Sequence, residues 1–225
     1  MRTIAALARK GGSGKTTLAA HLAIAAHLRG RKAVLADTDP QRSSSAVLKA
    51  RTLPGPLQIH TTEHKLFALR DSAQRAGVDF LVVDTPAGSE HGLGTTLALA
   101  DLSLLVVRPT FLDVAAAART LDEARCLGRS ALIVFNQAPI ARSGSEAASV
   151  ERALEALRFA GMPVSPVIIR SRAIFQSVLV SGQSVEEAGP SAAADEIAAL
   201  WRHIDQLLVA NAVSHSAEAR TALRA

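Results

Sequence analysis

Lys10-Gly11-Gly12-Ser13-Gly14-Lys15-Thr16-Thr17 follows an apolar run at residues 3–8 and leads directly into residues 15–29, whose apolar spacing is helical. A glycine-rich turn between a buried strand and a helix N-terminus is the setting of a phosphate-binding loop. The glycines let successive backbone N–H groups curl toward one anion, and the helix adds its positive end. In this reading Lys15 reaches the β- and γ-phosphates of a nucleotide and the Thr16 hydroxyl holds Mg²⁺. The strict pattern G-x-x-x-x-G-K-[ST] fails at its first glycine, where Arg9 stands, and a second lysine, Lys10, follows. Lys10 either lies beside its own nucleotide or projects to a neighbouring subunit, and spacing does not decide between the two.

Outward from the loop, short apolar runs alternate with helical patterns. Ala33–Asp37, 57–61, Phe80–Asp84, 102–108, 131–136 and 164–169 read as further strands buried on both faces. Residues 64–76, 92–99, 113–127, 145–160, 173–181 and 192–210 read as helices. Asp113 is the expected N-cap of one, and Gly30 and Gly128 stand where C-terminal caps belong. This alternation predicts an α/β fold, a mostly parallel twisted sheet with helices on both faces and right-handed crossovers. Ile197, Leu200, Trp201, Ile204, Leu207 and Leu208 share one stripe of the last helix, which closes the domain. Residues 1–210 are expected to form one domain, with 211–225, small and polar, as a flexible tail.

Composition narrows the classes. The chain has 225 residues, 48% hydrophobic and 20% charged, which excludes a disordered protein. Cys126 is the only cysteine, so a disulfide framework and a cysteine-cluster metal site are excluded. No run approaches a membrane span or a signal-peptide core, and a cytoplasmic protein is expected. The net charge of +5 permits a phosphate-rich partner, whereas 3% aromatics with no tyrosine argues against base-stacking platforms.

Two acidic segments complete the constellation. Asp37-Thr38-Asp39-Pro40-Gln41 ends one strand and Asp84-Thr85-Pro86 another. Ligands collect beyond the carboxyl ends of parallel strands, so Asp37, Asp39 and Asp84 are expected to converge on the loop. There they would hold Mg²⁺ with its waters and orient an attacking water.

These segments, Lys10–Thr17 with its early lysine, the Asp37–Gln41 run and the apolar strand ending in Asp84-Thr85-Pro86, resemble the deviant-Walker-A ATPases of the ParA/MinD superfamily. Within it the chain is most similar to the small ParA type, with no extension before the loop. The resemblance implies a P-loop NTPase fold and weak Mg²⁺-dependent hydrolysis of ATP to ADP and phosphate. It implies that Lys10 is the signature lysine crossing an ATP-sandwich homodimer, catalytic together with Lys15 and Asp39. It also implies that residues Lys10 to Thr17, with Gly11, Gly12, Ser13, Gly14 and Thr16 between, hold nucleotide, and that Asn136 contacts the base. Asp39 would position the water, Asp37 would respond to the γ-phosphate, and Asp84 would reach Mg²⁺ through water.

Members of this superfamily differ in the surface they patrol. The membrane helix of MinD-type proteins is not expected here, because the last helix carries Asp195, Glu196 and Asp205 on its polar face with only Arg202. Residues 169–175 resemble the stretch with which ParA-type dimers bind nonspecific double-stranded DNA, which implies DNA contacts from Arg170 and Arg172. Glu186-Glu187 departs from the basic pattern that follows in some relatives. The resemblance therefore implies a nucleoid-associated DNA-partition ATPase with a ParB-type adaptor. The alternative is a relative that positions a protein cargo, such as a chemoreceptor cluster or microcompartment, through a cargo adaptor.

Overall fold

The computed structural model describes residues 1–88, 92–142 and 144–222, with side chains described through residue 213. The chain runs β1 (Arg2–Leu7), α1 (Lys15–Leu28), β2 (Ala33–Asp37), α2 (Ser43–Lys49), β3 (Leu57–His60), α3 (Leu66–Arg75) and β4 (Phe80–Asp84). It continues α4 (Leu93–Leu99), β5 (Leu102–Val107), α5 (Phe111–Cys126), β6 (Ala131–Phe135), α6 (Ala148–Phe159), α7 (Ile174–Ser177) and α8 (Ala192–Ala222). The strands form one six-stranded sheet in the order β3-β2-β4-β1-β5-β6, and every pairing is parallel. The expected α/β architecture is the one observed.

Strand order reverses at β1, which is flanked by β4 and β5, so the loop after β1 emerges at the topological switch point where parallel sheets bind ligands. Helix α1 starts there and is buried along most of its length; Ala19, Ala20, Ala23, Ala25 and Ala26 let it lie close against the sheet. On its side of the sheet, Ile197, Leu200, Trp201, Ile204 and Leu208 of α8 complete the core, and Leu207 packs at its margin. Trp201 meets Phe80 edge-on, with ring centroids 5.0 Å apart. Helices α3 to α6 cover the opposite face around Leu66, Leu97, Leu121 and Leu157.

Three local expectations are corrected. Residues 164–169 are not a strand. The segment runs beside β6, donating from Ser165 N to Ile133 O (2.8 Å) and from Ile169 N to Phe135 O (2.9 Å). Between them Val167 N donates to Ser165 Oγ (3.1 Å) rather than to β6, and four residues span what β6 covers in two, so only isolated bridges form. The N-cap of α5 is Thr110, whose hydroxyl accepts from Asp113 N at 3.2 Å, and Asp113 instead lies in the first turn. Helix α2 was not foreseen. The sequence pattern assigns residues 43–49 no element, and Asp37 holds the helix's first turn from outside. Beyond Asn211 the backbone is helical to Ala222; residues 223–225 of the expected tail lie outside the described residues.

Candidate phosphate site

Parallel register brings the acidic strand ends together: Asp37 on β2 and Asp84 on β4 are paired neighbours, and Asp84 is also paired with Ala6 on β1. The loop after β1 therefore opens beside both carboxylates. Gly12 and Gly14 take left-handed conformations (φ 76° and 82°), which turns the chain into the helix within three residues. A side chain at position 14 has no room, because Asn136 and Gln137 lean over it.

Lys15 is folded inward. Its Nζ stands 2.8 Å from Asp84 Oδ1, the lysine side chain 5% exposed and the aspartate fully buried. The Thr16 hydroxyl lies 3.4 Å from the same oxygen. Burial pushes the Asp84 carboxyl above its usual range, and Lys15 only partly offsets this. Among the described residues the other oxygen of Asp84 makes no close hydrogen bond, and the buried hydroxyl of Ser13 has no partner. Such atoms are costly when left unmade, so a polar ligand that satisfies them is favoured here. A glycine-rich loop at a helix start, a buried lysine, a hydroxyl and orphaned oxygens fit an oligophosphate with Mg²⁺, which keeps most of its own waters. No group of three His, Cys, Asp or Glu side chains stands at metal-ligand spacing among the described residues.

Asp37 and Asp39 are placed differently from Asp84. Asp37 is buried, and both its oxygens are engaged: Oδ1 accepts from Asp39 N (3.0 Å), Oδ2 from Ser45 N (2.9 Å) and Ser45 Oγ (2.7 Å). It shapes the 39–45 turn in this structure. Asp39 is half-buried, and its Oδ1 accepts from Gln41 N at 2.9 Å. Thr38 ties the turn to β4, its N–H and hydroxyl both donating to Asp84 O.

Lys10 turns to α5 of its own chain. Its Nζ lies 3.3 Å from Asp113 Oδ1 at the start of α5, while Arg108 Nε holds Oδ2 of the same carboxylate at 2.8 Å. Arg9 is lashed to the same helix through Thr120 Oγ1 (2.9 Å) and Glu123 Oε1 (2.5 Å). Gly11 is exposed at the loop tip, and Thr17 is half-buried in the first turn of α1. Asn136, expected as a base contact, lies against the loop, where its Nδ2 donates to Ser13 O (2.7 Å). Gln137 does the same to Gly12 O (3.0 Å), a role for which the sequence offers no signal. Arg170 and Arg172 lie apart from this cluster. Arg170 is clamped by both oxygens of Glu146, and Arg172 Nη2 meets Glu196 Oε1 at 2.9 Å. No helix among the described residues is long and apolar enough to cross a membrane.

Comparison with known proteins gives a consistent picture. Residues 4–185 match the model of the CobQ/CobB/MinD/ParA nucleotide binding domain. The chain is 29% identical over 205 residues to the maintenance of carboxysome distribution protein A of Halothiobacillus neapolitanus, covering 87% of this chain and 92% of that one. The protein of the same description from Gloeobacter kilaueensis is 32% identical over 187 residues, covering 82% and 83%. Among solved structures, the ATP complex of a Cyanothece McdA variant superposes with a TM-score of 0.71 at 17% identity, over 92% of this chain and 96% of that one.

Proposed function

The chain belongs to the CobQ/CobB/MinD/ParA nucleotide-binding family, and we propose that it is a Mg²⁺-dependent ATPase that positions a protein assembly by cycling between monomer and ATP-bound homodimer. The carrying observation is the braced loop with Lys15 and Asp84 at its floor, beside orphaned polar atoms that a triphosphate and its ion would satisfy. Two relatives described by carboxysome distribution support a protein cargo over DNA partition.

In this reading the N–H groups of Gly11 to Thr17 and the Lys15 ammonium bind the phosphates, and Lys15 exchanges Asp84 for them. Thr16 and Asp84 would hold Mg²⁺, with Asp37 and Asp39 beside them, and the ion would supply charge neutralisation for the transferring phosphoryl group. Asp39, half-buried and beside the turn, orients the attacking water, and Asn136 Oδ1 faces the base. Lys10 leaves Asp113 to meet the partner's nucleotide, which makes association depend on ATP. Hydrolysis is slow alone and is raised by an adaptor of the cargo; nonspecific DNA serves as the track, which places the protein on the nucleoid.

The test combines enzymology with cell imaging. Purified protein should release phosphate from ATP only with Mg²⁺, and Asp39→Ala should retain ATP while losing turnover. In its own cells, Asp39→Ala should leave a protein assembly clumped while plasmid and chromosome inheritance stay normal. Lost DNA inheritance with normally spaced assemblies would return the assignment to DNA partition.

A further inference from the structure

Only two non-glycine residues among those described have positive φ, and one is Gln137 (φ 54°). Its neighbours dictate the conformation. Asn136 N donates to Val107 O (2.8 Å) and extends the β5–β6 pairing, while Ala138 is buried and its N–H donates to Ile169 O (3.1 Å). Along an extended strand adjacent side chains point to opposite faces. The left-handed residue breaks that alternation, so the amides of Asn136 and Gln137 both arrive over Gly14.

Each takes one loop carbonyl: Gln137 Nε2 holds Gly12 O at 3.0 Å, and Asn136 Nδ2 holds Ser13 O at 2.7 Å. In a trans peptide the C=O and the following N–H point in opposite directions. Pinning Gly12 O toward Gln137 therefore aims Ser13 N–H away from Gln137, and pinning Ser13 O toward Asn136 aims Gly14 N–H away from Asn136. Neither N–H has an acceptor among the described residues. Two consecutive amides facing the same way form a concave anion nest.

We propose that Gln137 is a positioning residue of the phosphate site, fixing the Gly12–Ser13 peptide so that its N–H faces the bound phosphate. The proposal rests on the phosphate-site reading above and adds a residue to it. It also accounts for a glutamine in a backbone conformation that glycine adopts without strain. Gln137 need not touch the ligand. Its effect passes through the loop, and it should be the same for any oligophosphate, whatever base is attached.

The experiment measures binding of ATP and of inorganic tripolyphosphate, each with Mg²⁺, by calorimetry, together with thermal unfolding. Gln137→Gly removes the amide and relieves the backbone. It should melt at or above the wild-type temperature yet bind both ligands about three- to tenfold more weakly, the range of one net hydrogen bond. Gln137→Asn tolerates the same backbone conformation but its amide falls short of Gly12 O, so it should lose affinity similarly. Unchanged binding of both ligands in these variants overturns the role. A loss confined to ATP, with tripolyphosphate unaffected, also overturns it, because Gln137 would then be a base contact. Wild-type protein that binds neither ligand brings down the phosphate-site reading itself, a result distinct from either variant outcome.

Discussion

Lys10 and Asp113 form an ion pair within one chain, Nζ to Oδ1 3.3 Å, and so the lysine expected to cross a dimer interface is held in place by its own α5. Asp113 does not depend on it. Burial opposes ionisation of this carboxyl, but Arg108 and Lys10 together hold its pKa below the usual range, with Arg108 donating from both Nε and the backbone. Release of Lys10 therefore leaves a buried carboxylate that is still paired. With Asp39→Ala to block hydrolysis, Asp113→Asn should move the ATP-dependent monomer–dimer midpoint to about two- to fivefold lower protein concentration, the scale of a partly exposed ion pair. Lys10→Ala in the same background should bind ATP and stay monomeric. Light scattering reads both, and a stable ATP dimer without the Lys10 side chain defeats the cross-contact.

The buried Lys15–Asp84 pair makes a different demand. Lys15→Ala leaves Asp84 buried without its cation, and removing one partner of such a pair costs about 3 kcal/mol or more. Asp84→Asn removes the charge whose burial raises the carboxyl pKa. The double variant Lys15→Ala/Asp84→Asn should therefore recover much of the stability lost by Lys15→Ala alone, and none of the nucleotide binding. Denaturant melts give the first quantity and calorimetry the second. Equal stability in the single and double variants would show that the pair is not coupled.

What the sequence carried and what it did not divides along physical lines. The strands around the loop were legible because a parallel sheet covered on both faces demands uninterrupted apolar runs, as in Phe80–Asp84. The convergence of Asp37 and Asp84 followed from that topology. Residues 164–169 have the same apolar character, but Val167 N turns back onto Ser165 Oγ and the register with β6 slips by two residues, which the apolar pattern does not encode. Helix α2 depends on Asp37 holding Ser45 from eight positions away, which no local propensity encodes. The ion pairs of Arg170 and Arg172 span 24 residues each and arise only when the loop before α6 and the first turns of α8 come together. Gln137 is legible only through its backbone conformation, which its neighbours impose.

His21 predicts an acid limit to stability. It is fully buried in α1, its Nε2 3.3 Å from Phe175 O and its Nδ1 without a partner. Burial lowers its pKa from 6.5 to about 4, partly countered by the Phe175 carbonyl. The unfolded chain takes up the proton near pH 6.5 and the folded chain does not, so this contribution is complete above that value. It is lost as pH falls toward 4, by about 3 kcal/mol in all. Denaturant unfolding measured from pH 7 to 4 should show this slope. His21→Gln should flatten it, and an unchanged slope in that variant would assign the acid lability to other groups.

If DNA is the track, Arg170 and Arg172 can serve it only by exchanging carboxylates for phosphates. Glu146 clamps Arg170, whose Nη1 also donates to Pro139 O (2.9 Å), while Glu196 accepts from Arg172 Nη2 (2.9 Å) and from Arg170 N (2.9 Å). The hydrogen bonds from Arg170 hold the Glu146 carboxyl below its usual range, so this clamp stays ionised at neutral pH. Glutamine at both acidic positions keeps an acceptor for the Arg170 N–H but removes two negative charges. Glu146→Gln/Glu196→Gln should therefore raise ATP-dependent retention on random duplex roughly tenfold at low salt, and each phosphate gained should steepen the salt dependence by about 0.9 in log–log slope. Arg170→Glu/Arg172→Glu should abolish retention while ATP binding persists. Filter binding across a salt series distinguishes the cases. If neither double variant changes retention or its slope, these arginines only fasten the loop before α6 to α8, and the DNA surface lies on another face of the dimer.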